Sequence, residues 1–321
     1  MSIPLALVSV IVGVVLVVTF AGRLVRGVVG TSHAIGLSAF LISVVFVGFD
    51  PENLAVGVAG SVEQVPGIAL GSVIGAAMVA LALAFGVTAL LAPMRFASAP
   101  TPVLAVPVAA VALFGVVSLD GRLSRPDGAV LLLGYALSVG FLIWLSRRGV
   151  DVASATEPDE PEVESARRAV GMLVVALIAI VVGSELAVEG SKTVIVWLGV
   201  ADTFYGMAIL ALLVSIEELA RELPAARRGH PEITFGNVVG STLAFFLFNG
   251  GLIALARPVE LSASTTTFYL PVAFVTVVVI SGLMLRKAVP RWAGAVLVGL
   301  YLLFVIGGYL VDRAAALGAV G

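Results

Sequence analysis

Two short stretches of this chain place acidic side chains inside apolar sequence. They are Gly48-Phe49-Asp50-Pro51-Glu52-Asn53-Leu54-Ala55 and Leu213-Val214-Ser215-Ile216-Glu217-Glu218-Leu219-Ala220. An ionised carboxylate in a lipid-facing segment is costly, so such residues mark functional positions. Two acidic pairs that face each other repel unless a cation lies between them or some are protonated. Carboxylates, hydroxyls and carbonyls are the ligands of hard cations, and calcium takes about six to eight such oxygens. One divalent ion, several monovalent ions or protons can neutralise the same carboxylates, but not all at once. Competition of that kind can couple the movement of one ion to another.

Neighbouring sequence supplies further oxygens. Pro51 removes a backbone donor and clashes with the preceding turn, so the chain must break at Asp50-Pro51. Carbonyls freed at such a break can ligate an ion where they line a cavity. Gly71-Ser72-Val73-Ile74-Gly75 and Gly236-Asn237-Val238-Val239-Gly240-Ser241 follow the two acidic stretches. Glycines four apart let backbones approach closely. Asn237 and Ser241 share a helix face and offer neutral oxygens. By itself this spacing is a weak signal, read first as helix packing and only then as ligation.

The elements that must position these residues are membrane helices. Hydrophobic residues are 60% of the 321-residue chain and charged residues 12%, about half the share usual in a soluble domain. The chain therefore reads as an all-α integral membrane protein. Apolar runs predict ten spans: 3–28, 36–61, 68–92, 101–119, 128–146, 169–195, 202–226, 235–256, 268–286 and 291–312. The first is expected to be a membrane helix rather than a removed signal, for no basic n-region or cleavage site accompanies it. With no cysteine, thiol catalysis, disulfides and thiolate metal sites are excluded. No basic tract suggests nucleic acid, and the residues point to no cofactor. At about 1.5 Å per residue, both acidic stretches fall near the bilayer centre.

The organisation is duplicated. Residues 48–93 and 213–258 align at a constant offset of 165 (213 − 48), with 12 of 46 positions identical. Glu52/Glu217, Pro66/Pro231, Gly71/Gly236, Gly75/Gly240 and Gly86/Gly251 are among them. Residues 1–146 and 169–321 then form two five-helix halves, joined by an acidic linker, 147–168. Thirteen of the 18 Lys and Arg fall on one side if both termini lie outside, which puts the linker in the cytoplasm. An odd number of helices per half makes the repeats inverted. A binding site is then expected where the halves meet.

At these residues the chain resembles the calcium/cation antiporter superfamily, with the prokaryotic sodium/calcium exchangers the nearest branch. Gly236 to Ser241, preceded by Glu218-Leu219-Ala220 and Ala225-Ala226-Arg227-Arg228-Gly229-His230-Pro231, resembles the second alpha repeat. Gly48 to Pro93 resembles the first. The resemblance implies alternating access around a central site for calcium and the exchanged ion. The family centre reads Gly-Thr-Ser-Leu-Pro-Glu-Leu. Here Ser215 and Glu218 match it, whereas Val214 and Glu217 replace threonine and proline. In the first repeat Asn53 stands for the glutamate, Asp50 for the serine and Glu52 for the proline. Ser72 and Ala76 stand for the asparagine and serine of the glycine motif, and Ala80 and Phe245 where a further Asn or Asp is frequent. Fewer neutral oxygens and more carboxylates favour protons over sodium as counter-ion.

The expected cation ligands are Asp50, Glu52, Asn53, Ser72, Ser215, Glu217, Glu218, Asn237 and Ser241. The expected function is exchange of calcium, or a similar divalent cation, for sodium or protons in the cell membrane. The alternatives are a channel or uniporter on the same fold, or a divergent member without calcium exchange. A hydrolase using the acids is disfavoured, since no metal-binding His motif accompanies them. Arg221 and Glu222 are expected as snorkelling charges near a helix end, with pairing of Arg221 to Glu217 or Glu218 as the alternative. Arg26–Glu189 is a candidate structural pair, and Glu185 a candidate for the access path. Trp144, Trp197 and Trp292 are expected as interfacial anchors.

Overall fold

Apolar runs punctuated by proline and glycine fold as helices in the computed structural model, which describes residues 1–34, 50–96, 99–148, 166–216, 218, 222–223, 226–227 and 231–318. The described helices are α1 (Ile3–Ala34), α2 (Pro51–Val62), α3 (Pro66–Leu91), α4 (Thr101–Val117) and α5 (Arg125–Arg147). They continue with α6 (Ala166–Leu198), α7 (Asp202–Val214) and α8 (Pro231–Leu243, running on through Ala244–Asn249 and Gly250–Ala256). Last come α9 (Thr265–Leu285) and α10 (Arg291–Gly318). Seven of these are long and apolar enough to cross a bilayer; α4 and α7 are shorter apolar helices. The expected linker falls largely outside the described residues, as does most of the expected helix 36–61 before Asp50.

Local chemistry sets the ends. α5 begins at Arg125, three residues before its expected start, because Ser124 and Asp127 form a reciprocal cap. The Ser124 backbone N–H donates to Asp127 Oδ2 at 2.8 Å, and the Ser124 hydroxyl also donates to it. The expected helix 202–226 is not continuous. α7 stops at Val214, and Ser215 leaves helical geometry at φ −99°, ψ 14°. No proline causes this break. Ser215 stands where the offset between the two repeats places the counterpart of Asp50.

α3 and α8 form the centre. Their apolar windows are 94% and 83% buried, against 28% in α1 and 22% in α5. Where α3 crosses α7 the backbones nearly touch: a Cβ on Gly71 would clash with the Gly206 carbonyl. Only paired glycines permit that approach. Of the five π turns among the described residues, Val79–Ala84 in α3 and Ala244–Asn249 in α8 are related by the same repeat offset. π turns are rare and concentrate at functional sites.

α1 packs lengthwise on α6, and the two run antiparallel. Ser9 Oγ donates to the Leu186 carbonyl at 2.8 Å, while Ala21 and Leu24 pack with Ala176 and Ile180. Four two-residue strands, absent from the sequence expectation, tie the chain further. They are β1 (Met94–Arg95), β2 (Arg122–Leu123), β3 (Val259–Glu260) and β4 (Ala288–Val289). β1 pairs with β4 and β2 with β3, both antiparallel. Each ribbon thus joins residues before the linker to residues after it. Trp144, Trp197 and Trp292 are exposed near helix ends, as interfacial anchors require.

Candidate functional site

α2 starts where Pro51 permits. Proline suits a first helical position, since its fixed φ and missing N–H cost nothing there. Asp50 is the N-cap, with φ −126° and ψ 83°. Its Oδ1 accepts from the Asn53 backbone N–H at 2.8 Å, and its Oδ2 from Asn53 Nδ2 at 2.8 Å. The same Nδ2 donates to Ser215 Oγ at 2.9 Å. Asn53 therefore links the break before α2 to the break after α7. All three side chains are buried. A carboxylate offers only acceptors, so Asp50 holds the Asn53 amide with Nδ2 toward it and Oδ1 turned away. Oδ1 is buried without a hydrogen-bond partner among the described residues. Glu52 is buried in the first turn of α2.

A second polar group follows Ser215. The Glu218 backbone N–H donates to the Ser215 carbonyl at 3.1 Å. Asn237 Nδ2, on α8, donates to Glu222 Oε1 at 2.7 Å and to Glu218 Oε2 at 3.3 Å. Ser241 Oγ donates to Asn237 Oδ1 at 3.2 Å. Asn237 thus meets Glu218, and Ser241, on the same helix face, meets Asn237.

Glu222 corrects the sequence reading. It is no snorkelling surface charge: only 3% of it is exposed, and it is engaged by Asn237. The missed signal is its spacing, four residues after Glu218, which puts both acids on one helix face. Ser72 departs differently. Its hydroxyl donates to the Ala69 carbonyl at 2.8 Å, and it packs so close to Gly57 that a Cβ there would clash with Ser72 Oγ. It therefore stands one turn along α2 from Asn53, outside the Asp50–Asn53–Ser215 hydrogen bonds. Glu217 and Arg221 lie outside the described residues, so their expected roles are not located. Glu189 is bound by Lys192, whose Nζ donates to it at 2.6 Å and to Glu63 Oε2 at 2.8 Å. The side chain of Arg26, its expected partner, is outside the description. Glu185 is exposed.

Charge is divided between the two groups. Asp50 and Glu52 come from the first repeat, Glu218 and Glu222 from the second. Among the described residues no three acidic or His side chains gather tightly enough to form a ready-made metal cluster. Just past the end of α2, Lys192 holds the Glu63 carboxyl below the usual carboxylate range, first through its hydrogen bond and then through its charge.

The family model for sodium/calcium exchanger proteins matches residues 5–144 and 168–309. This chain belongs to the sodium/calcium exchanger family. As a member it is a membrane transporter rather than an enzyme. Relatives of this exchanger-family chain include the putative antiporter CaxA of Alkalimonas amylolytica, 27% identical over 88% of this chain and 91% of the relative. The inner membrane protein YrbG of Escherichia coli is 28% identical over 80% of this chain and 82% of its own. The sodium/calcium exchanger MaX1 of Methanosarcina acetivorans is 31% identical across 42% of this chain and 39% of its own. Among solved structures, the sodium-calcium exchanger NCX_Mj soaked with sodium and strontium superimposes with a TM-score of 0.62. That match has 22% identity and covers 95% of this chain and 99% of the other. That match shows a shared fold.

Proposed function

We propose that the chain is a secondary antiporter exchanging calcium, or a similar divalent cation, for sodium or protons by alternating access. Ten spanning helices form two inverted five-helix halves, 1–146 and 169–321, with 147–168 cytoplasmic, both termini outside, and the whole in the cell membrane. The antiparallel packing of α1 on α6 and the exchanged ribbons support the inversion. Cation ligands come from Asp50, Glu52, Asn53, Ser215, Glu217, Glu218, Asn237 and Ser241, with Ser72 beside them, and Glu222 joins the set.

The observation that carries this reading is the Asn53 amide, which bonds Asp50 of one repeat and Ser215 of the other across 162 residues. Polar groups from both helix breaks thereby converge, and carboxylates lie on either side. Exchange follows from charge balance. Buried carboxylates must be neutralised, and calcium, sodium ions and protons compete for that task. Calcium uptake into proteoliposomes under an imposed sodium gradient, then an imposed pH gradient, tests the proposal. Uptake driven by one gradient is expected; no uptake with either would sink it. Two observations favour a second reading, a divergent member that carries monovalent ions without calcium. The described acids do not cluster in threes, and Asn53 supplies no charge at its position. Sodium efflux that runs without calcium on either side would select it.

A further inference from the structure

Asn249 closes the π turn Ala244–Asn249 of α8. Its side chain is 0% exposed, and neither Nδ2 nor Oδ1 has a hydrogen-bond partner among the described residues. A buried primary amide with its whole hydrogen-bonding capacity unused is destabilising and rare. The neighbours fix where it points. A Cβ on Gly250 would meet the Phe114 ring of α4 at 2.9 Å, and one on Gly251 the Leu132 side chain of α5 at 2.8 Å. Ile253, four residues after Asn249, instead reaches Gly57 of α2, where its Cδ1 would clash with an added Cβ. At about 3.6 residues per turn Asn249 shares the Ile253 face and turns away from α4 and α5.

α2 and the end of α8 run in the same direction. Ile253 lies against Gly57, and Arg257 Nη1 donates to the Val62 carbonyl at 2.9 Å. The π turn itself also packs on α2. One helical turn before Gly57 is Asn53, and one turn before Ile253 is Asn249. Two buried amides, one from each half, therefore stand at the same level with oxygens that bond to nothing described.

We propose that Asn249 is an ion-coordinating, specificity-determining residue whose amide oxygen joins Asn53 Oδ1 in a neutral station for a desolvated monovalent cation. This rests on the transport reading above and names the residue that selects the counter-ion. Amide oxygens suit hard cations, and they do not take up a proton near neutral pH. Two neutral dipoles offset the dehydration of a single charge far better than that of a double one. The station favours sodium over both protons and calcium.

The test uses the purified full chain with sodium as probe and choline as control. Asn249→Leu keeps the branched shape and removes the amide; it is expected to fold with equal or higher melting temperature in choline. Sodium should raise the melting temperature of the wild type. In Asn249→Leu the half-saturating sodium concentration should rise at least tenfold, while half-saturating calcium, measured without sodium, should change less than twofold. Asn249→Ser, which retains an oxygen at shorter reach, should fall between and serves if the Leu variant misfolds. An unchanged sodium midpoint in either folded variant overturns the proposal. A wild type that takes up calcium on a pH gradient yet shows no sodium response overturns the station and leaves the antiporter standing. Failure of every gradient removes the antiporter itself.

Discussion

The two repeats share a backbone and differ in where they carry charge. Each places a non-helical residue at the same position, Asp50 capping α2 and Ser215 ending α7. Each carries a π turn at the matching place in its central helix, Val79–Ala84 in one and Ala244–Asn249 in the other. At equivalent positions the first repeat has Asp50, Asn53, Gly57 and Ser72, and the second has Ser215, Glu218, Glu222 and Asn237. The acid at the break in one repeat becomes acids one and two turns beyond it in the other. Duplication fixed the scaffold, and later substitution spread the carboxylates along the helices instead of setting them face to face. A symmetric fold can thus hold an asymmetric site, provided neutral groups such as Asn53 and Asn237 bridge the pieces.

Glu218→Gln should break this comparison most severely. It removes a buried carboxylate from the second repeat while preserving shape, and a hundredfold loss of calcium uptake is expected, about 2.7 kcal/mol. A circular dichroism melt should stay near that of the wild type. Gly57→Ala probes the opposite asymmetry. The second repeat accommodates Glu222 at this position, but in the first an added Cβ would clash with Ser72 Oγ and Ile253 Cδ1. Overpacking should lower stability by about 1–3 kcal/mol in denaturant titrations. No change would mean that α2 is free to move away.

Asn53→Glu would make the repeats more alike. A carboxylate there loses the donor that served Asp50 and Ser215 and repels Asp50. The variant should melt lower without calcium and regain the difference with it, its calcium affinity rising about tenfold above neutral pH. Isothermal titration at two pH values measures this. The smallest effect is expected at Glu63, which is half-buried and paired with Lys192 near the surface. Its depressed pKa contributes stability above the ordinary carboxylate range, and that contribution is lost as pH falls through the folded-state value. The melting difference between wild type and Glu63→Gln should be small at neutral pH and vanish in acid or high salt.

Much of this was legible in sequence. Apolar runs located the helices, Pro51 announced the first break, and the offset of matched Pro, Gly and Glu revealed the duplication. The break at Ser215 was not legible, because no proline marks it and its Oγ takes a hydrogen bond from a residue 162 positions away. Glu222 was misread together with its neighbour Arg221, as a snorkelling charge near a helix end. Asn249 sits alone in a Phe-rich run, and only its burial without partners singles it out. The strands are two residues long, too short to show any alternation.

Those strands bear on how the protein is made. β1 must wait for β4, since Met94 pairs with Val289, far along in the second half. The Asn53 amide likewise waits for Ser215. The first half therefore enters the membrane with open strand edges whose partners are still being synthesised. Long-range closure of this kind is slow and exposes the nascent chain to misassembly. Biogenesis is thereby committed to a late, all-at-once docking of the halves, and the exchange of ribbons acts as a check that both have arrived.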